Sequence, residues 1–77
     1  MDKSEFFRNL ESMLELESGV IQPNTRLEGL EAWDSISVIS FIAMVDQQYG
    51  VSVPPKSIAE CQTAEDLANL VATTKIR

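Results

Sequence analysis

The spacing of the apolar residues constrains this chain most, because it predicts helices and no segment alternates as a strand would. In residues 3–17 apolar side chains recur three or four positions apart, which places them on one helical face. The charged residues of this segment, among them Glu11 and Glu15, fall mostly on the other face. Gly19 is predicted to end this first helix. The apolar face comprises Phe6, Phe7, Leu10, Met13 and Leu14.

A second helix is predicted over residues 35–49, with Asp34 as its N-cap and Gly50 as its terminator. Its core face comprises Val38, Phe41, Ile42, Val45 and Tyr49. A second apolar stripe lies beside this face and comprises Ile36, Ile39 and Ala43. A surface helix normally needs one stripe, so the second is either additional core or an exposed contact surface.

Residues 18–33 have no sustained periodicity and predict a long loop between the two helices. A long loop in a small domain needs anchoring to the core, a functional role, or both. The apolar residues expected to anchor it are Val20, Ile21, Leu27, Leu30 and Trp33.

After Pro54 and Pro55, residues 56–61 are long enough only for a short helix with Ile58 pointing inward. A capping-box pattern at residues 63–66 begins a last helix that extends to about residue 73. The predicted fold is all-α: three main helices, one short helix and a long loop between helices 1 and 2. With 77 residues, we expect one domain over 1–77.

Several kinds of catalytic and metal chemistry are missing from the sequence. The chain has no histidine and one cysteine, which excludes a Ser-His-Asp triad, a Cys-His pair and a Cys/His zinc site. Its three glycines are too far apart to form a phosphate-binding loop. These absences argue against a self-sufficient enzyme.

The charge balance indicates what kind of partner the chain can bind. Twelve acidic and six basic residues give a net charge of −6, which argues against nucleic-acid binding and allows a basic protein partner. The first residues lack the features of a signal peptide, and the longest apolar run is only residues 41–45. We therefore expect a cytoplasmic protein that does not insert into membranes.

The tripeptide Asp34-Ser35-Ile36 stands at the start of the predicted second helix. It resembles the Asp-Ser-Leu modification motif of the acyl carrier protein family. The resemblance continues through the acidic loop 28–31, the step 51–54 into the short helix, and the closing segment 61–67. It covers essentially the whole chain in the right order and spacing.

The resemblance implies a 4′-phosphopantetheine arm attached covalently to Ser35, whose thiol carries acyl groups as thioesters. A phosphopantetheinyl transferase would install the arm from coenzyme A, with Asp34 assisting near a magnesium ion. Acyl-transferring or condensing enzymes of fatty-acid, polyketide or related biosynthesis would then use a monomeric carrier that is not itself an enzyme. The implied partner contacts are Ile36, Ile39, Ala43, Glu31 and Asp46.

The chain departs from typical fatty-acid carriers at Ser37 and Ser40, where those proteins often have acids. We therefore expect the apolar stripe to contribute more of the partner contact, as in a specialised carrier. Ile42, Val45 and Ile58 either line a cavity for the acyl chain or are ordinary core, and Cys61 is expected to be buried.

Other functions remain open at this level. An aminoacyl carrier would share the fold and the arm, and an unmodified helical interaction module would share the fold alone. A hydrolase that uses Ser35 is disfavoured because the chain offers no histidine as a base.

Overall fold

The computed structural model describes residues 2–74 and shows four α-helices. They are α1 (Lys3–Met13), α2 (Ser35–Tyr49), α3 (Pro55–Ala59) and α4 (Ala64–Thr73). A 3₁₀ turn at Leu27–Gly29, which the periodicity did not predict, interrupts the long loop. The predicted bundle of three main helices and one short helix is confirmed. None of the helices in this part of the chain is both long and apolar enough to cross a membrane.

The core is centred on two phenylalanines that join α1 to α2. Phe6 and Phe41 are both fully buried, and their rings meet edge to face with centroids 6.0 Å apart. Residues from α3, α4 and the loops close around this pair. The remaining buried apolar residues are Phe7, Leu10, Ile21, Leu27, Val45, Val51, Val53, Ile58, Ala64, Leu67, Ala68 and Val71.

Helix α1 ends four residues earlier than its sequence predicts, so the assignment of Gly19 as its terminator was wrong. Glu15 adopts a left-handed conformation with φ 59°, and the N–H of Leu16 donates to the carbonyl of Glu11 at 2.8 Å. The N–H of Glu15 donates to the carbonyl of Ser12 at 3.2 Å. These two bonds form a Schellman termination in which Glu15 occupies the position usually taken by glycine.

Glu11 was expected on the exposed face of α1 and is instead buried, with 2% of its surface exposed. Its Oε2 accepts hydrogen bonds from the backbone N–H groups of Gly19 at 2.9 Å and Ile21 at 2.8 Å. Arg8 Nη2 donates to the same oxygen at 3.0 Å, and Arg8 Nε lies 2.6 Å from Oε1. The carboxylate thus fastens the start of the long loop to α1.

The middle of the loop is fastened to the start of α4 by backbone hydrogen bonds. The N–H of Leu27 donates to the carbonyl of Gln62, and the N–H of Ala64 donates to the carbonyl of Thr25, each at 2.9 Å. Ile21 and Leu27 are buried as predicted, and Leu30 and Trp33 are half-buried. Val20 is 44% exposed, so its assignment as an anchor was wrong.

The remaining helix ends follow their sequence signals closely. Gly50 ends α2 in the left-handed conformation, with φ 66°. Pro55 is the first residue of α3, a position where proline's missing N–H costs little. Thr63 and Asp66 form the reciprocal capping box of α4.

Replacing Glu11 by Gln is expected to lower the free energy of unfolding by about 2 kcal/mol, because buried N–H groups lose a charged acceptor. Urea unfolding at neutral pH measures this difference. The control is Glu17→Gln, at an exposed acid in the same loop, which should stay within about 0.5 kcal/mol of the wild type.

The pH dependence tests the same contact. Burial raises the pKa of Glu11, but the Ile21 N–H and the Arg8 guanidinium outweigh it and hold the pKa below its ordinary value of 4.5. A carboxylate with a lowered folded pKa stabilises the fold above its unfolded pKa, and this contribution is lost as pH falls. The stability difference between wild type and Glu11→Gln should therefore shrink below about pH 4.5. A difference that stays constant in acid would contradict this account.

Candidate functional site

Ser35 is the first residue of α2 and is exposed to solvent. Its neighbour Asp34 is the N-cap, as predicted, and accepts a hydrogen bond from the N–H of Ser37 at 2.9 Å. Among residues 2–74, the hydroxyl of Ser35 has no hydrogen-bond partner. The long loop thus delivers an unengaged hydroxyl to the positive end of a helix dipole.

Ser37 links the loop to the first turn of α2. Its hydroxyl donates to the carbonyl of Ala32 and also lies 3.1 Å from Asp34 Oδ1. A carboxylate at position 37 would have no proton to donate to that carbonyl at neutral pH. The Ser37 hydroxyl therefore makes a structural contact that an acidic side chain could not make. Ser37 stands three residues after the N-cap Asp34, and this spacing is the sequence signal that could have indicated the contact between their side chains.

Asp34 is ionised at neutral pH. The backbone N–H of Ser37, and then its hydroxyl, lower the pKa of Asp34 below its ordinary value. The carboxylate next to Ser35 therefore combines two properties, a capping hydrogen bond and a full negative charge.

The second apolar stripe of α2 is exposed, which decides between the two interpretations that the sequence left open. Ile36 is 74% exposed, Ile39 is 68% exposed, and Ala43 is also at the surface. The first stripe holds the core, with Phe41 and Val45 fully buried. An apolar strip therefore begins one residue after Ser35 and continues along the surface of α2.

The two acidic residues predicted as partner contacts lie at different distances from Ser35. Glu31 is exposed in the turn just before α2. Asp46 is exposed eleven residues further along the helix, which separates it from Ser35 by about 16 Å along the axis. Asp34 and Ile36 are therefore the direct chain neighbours of Ser35, Glu31 lies in the turn before α2, and Asp46 lies near the far end of α2.

An open cavity of about 350 Å³ lies between the loop, the start of α2 and α3. Trp33 forms part of its wall and packs edge-on against Phe41, with centroids 5.8 Å apart, as expected of a loop anchor. Of the three residues proposed for a cavity, Ile58 lines this one, whereas Val45 belongs to the filled core and Ile42 is half-buried elsewhere.

Cys61 also lines the cavity. It is half-buried, whereas the sequence analysis expected it to be buried. Its thiol lies 3.5 Å from the carbonyl of Ser57. Burial raises the pKa of the Cys61 thiol, and the carboxylates of Asp66 and Glu60 raise it further. The group is therefore a protonated thiol at neutral pH and a poor nucleophile.

Comparison with known proteins identifies the family. Residues 7–71 match the family described as "Phosphopantetheine attachment site". The match spans most of the chain and includes α2 with the residues that precede it. The chain belongs to this family of phosphopantetheine-bearing carriers.

The fold is similar to the solution structure of a holo acyl carrier protein from Geobacter metallireducens. The TM-score is 0.77 and the identity 21%, over 96% of this chain and 86% of that one. No curated protein matches the chain. Family and fold together define a carrier protein of the acyl carrier type.

The prosthetic group of such a carrier is 4′-phosphopantetheine, bound covalently. The exposed hydroxyl at the start of α2, free of hydrogen bonds within residues 2–74, fits a side chain that accepts a large polar substituent without disturbing the fold. Carriers of this kind work with transferases and biosynthetic enzymes.

Ser37→Ala should destabilise the protein by about 1 kcal/mol relative to Ser40→Ala, because it removes the hydrogen bond to Ala32. Both changes give the same small gain in helix propensity, and Ser40 is exposed, so the comparison isolates the hydrogen bond. Thermal unfolding followed by circular dichroism measures it. Equal midpoints for the two variants would show that the Ser37 hydroxyl contributes nothing.

Proposed function

We propose that Ser35 is the residue to which the arm is attached, and that this protein carries acyl groups in fatty-acid, polyketide or related biosynthesis. The observation that carries the proposal is the exposed, unengaged hydroxyl at the first position of α2, inside the matched segment. When attached, the arm supplies a terminal thiol that holds the acyl group as a thioester.

The chain contributes an acceptor and leaves the catalysis to its partner. The Ser35 oxygen forms a bond to the phosphorus that bears pantetheine, and the pyrophosphate linkage of coenzyme A breaks to release 3′,5′-ADP. The hydroxyl proton passes to a base of the transferase. The base comes from the transferase because this chain has no histidine to accept the proton, and the carboxylate of Asp34 already accepts a hydrogen bond as the N-cap of α2.

The surface around Ser35 suits contact with enzymes that have both apolar and basic residues. Ile36, Ile39 and Ala43 offer an apolar strip, and Glu31 adds a charge beside it. Asp46 extends the contact to the far end of α2. Burial of the isoleucines against a partner gives affinity, while the carboxylates favour the approach of a basic surface.

Incubation with a broad-specificity phosphopantetheinyl transferase and coenzyme A should add the mass of one arm to the wild type and none to Ser35→Ala. Ser52→Ala, at an exposed serine between α2 and α3, is the matched control and should gain the arm. Intact-mass spectrometry gives the readout. An unmodified wild type, in the presence of a transferase shown to be active on another carrier, overturns the proposal.

The mass of protein purified from its native host addresses the carried group. We expect an acyl thioester on the arm. An aminoacyl thioester in its place would contradict the acyl assignment and leave the attachment site standing.

Asp34→Asn should separate the capping role of Asp34 from its role in modification. Asparagine caps helices about as well as aspartate, so the unfolding midpoint should stay close to that of the wild type. In the modification reaction, Asp34 would assist near the magnesium ion that the family resemblance implies. Without its charge, the rate of arm addition should fall by about 10- to 100-fold, the usual loss when a group that supports a metal site is removed. A rate equal to the wild type would show that Asp34 is only a cap.

A further inference from the structure

The segment 32–34 joins the long loop to α2 and directly precedes Ser35. It belongs to no helix or strand, so its conformation is fixed only where individual contacts hold it. On the loop side, the N–H of Trp33 donates to the carbonyl of Leu30 at 3.0 Å, and the Trp33 ring packs on Phe41. The position in which Ser35 meets a partner therefore depends on a few contacts of this segment.

Ser37 holds the same segment from the helix side. Its hydroxyl donates to the carbonyl of Ala32, and its N–H donates to Asp34 Oδ1 at 2.9 Å. Its Oγ also lies 3.1 Å from the same carboxylate oxygen. One half-buried residue of α2 thus contacts both ends of segment 32–34, immediately before Ser35.

The two hydrogen bonds that Ser37 donates differ in what they require of its side chain. Any residue except proline supplies the N–H that bonds to Asp34, so the helix cap survives most substitutions. The bond to Ala32 needs a side-chain donor, which alanine lacks. Replacing Ser37 by alanine therefore releases the carbonyl of Ala32 and loosens segment 32–34, while α2 keeps its cap.

We infer that Ser37 is a positioning residue for arm addition, because its hydroxyl holds segment 32–34 in the arrangement that presents Ser35 beside the Asp34 carboxylate. The inference rests on the proposed attachment of the arm to Ser35. A transferase that needs this arrangement binds the carrier with an apparent affinity that falls in proportion to the population of the arrangement. Contacts with the enzyme restore the arrangement in the bound state, so the loss of the hydroxyl raises KM and leaves kcat unchanged.

Ser37→Ala should raise the KM for the carrier in arm addition about fivefold, the change in population that one hydrogen bond of ordinary net strength controls. Its kcat should stay within about twofold of the wild type. Ser37→Thr keeps the hydroxyl and should return the KM to within about twofold of the wild type. Ser40→Ala, the same change at an exposed position of α2, is the matched control. Initial rates with a phosphopantetheinyl transferase and coenzyme A, read by intact-mass spectrometry, give both constants.

A stability control separates the loss of position from the loss of folded protein. Val71→Ala removes buried methyl groups from α4, whose hydrogen bonds to the loop lie at residues 23–27 and not at segment 32–34. It should lower the unfolding midpoint and keep the KM of the wild type. All variants are assayed at a temperature at which circular dichroism shows them folded. If Ser37→Ala does not fold, Ser37→Cys takes its place, and its weaker donor should give a smaller rise in KM.

Hydrogen exchange gives a readout that requires no transferase. The N–H of Trp33 is bonded to Leu30 inside the turn, so its exchange rate reports how often segment 32–34 opens. This rate should rise about fivefold in Ser37→Ala and stay at the wild-type value in Ser37→Thr and Ser40→Ala. Nuclear magnetic resonance of the unmodified protein measures it.

A raised KM together with faster exchange at Trp33 in Ser37→Ala, both reversed in Ser37→Thr, supports the inference. A wild-type KM or a wild-type exchange rate in Ser37→Ala overturns it and leaves Ser35 as the modified residue. An equal rise of KM in Val71→Ala also overturns it, because the effect would then follow from global stability. A wild type that gains no arm from an active transferase overturns the proposed function itself, and the mass of the wild type alone distinguishes that result.

Discussion

The carboxylate of Glu11 is the contact on which the arrangement of the long loop depends. Once α1 ends at Met13, the chain has to return across the bundle through residues with no regular structure of their own. A buried charge with two backbone donors and an arginine gives that segment a fixed starting point. Removing one partner from such a group leaves buried polar atoms unsatisfied, so the fold tolerates little change there.

From that starting point the loop is held by successive contacts until it reaches Ser35. Ile21 and Leu27 are buried, backbone hydrogen bonds join residues 23–27 to the start of α4, and Trp33 packs on Phe41. The hydroxyl of Ser37 makes the last connection, to Ala32. The backbone that leads to Ser35 is therefore held by contacts along its whole length, while the Ser35 side chain is exposed.

The helices were predictable because their signals are local. Asp34, Gly50 and the pair Thr63–Asp66 act within one helical turn, and the structure has each of them where the sequence placed it. The end of α1 and the burial of Glu11 were not predictable, because both arise from contacts between segments distant in sequence. Helical periodicity assigns a glutamate to the solvent face and has no information about loop N–H groups that return to meet it. The exposure of Ile36 and Ile39 was also not predictable from periodicity, because it is set by how the other helices and loops pack against α2.

The hydrogen bond from Ser37 to Ala32 also limits how the surface of α2 can diverge among related carriers. An acidic residue at position 40 would cost the fold little, because that side chain is exposed. An acidic residue at position 37 would remove the donor that ties the loop to the helix. An acid is therefore nearly neutral for stability at position 40, whereas at position 37 it would cost this fold the hydrogen bond to Ala32. A carrier of this shape with an acid at position 37 would therefore need a different contact to hold the end of its loop against the second helix.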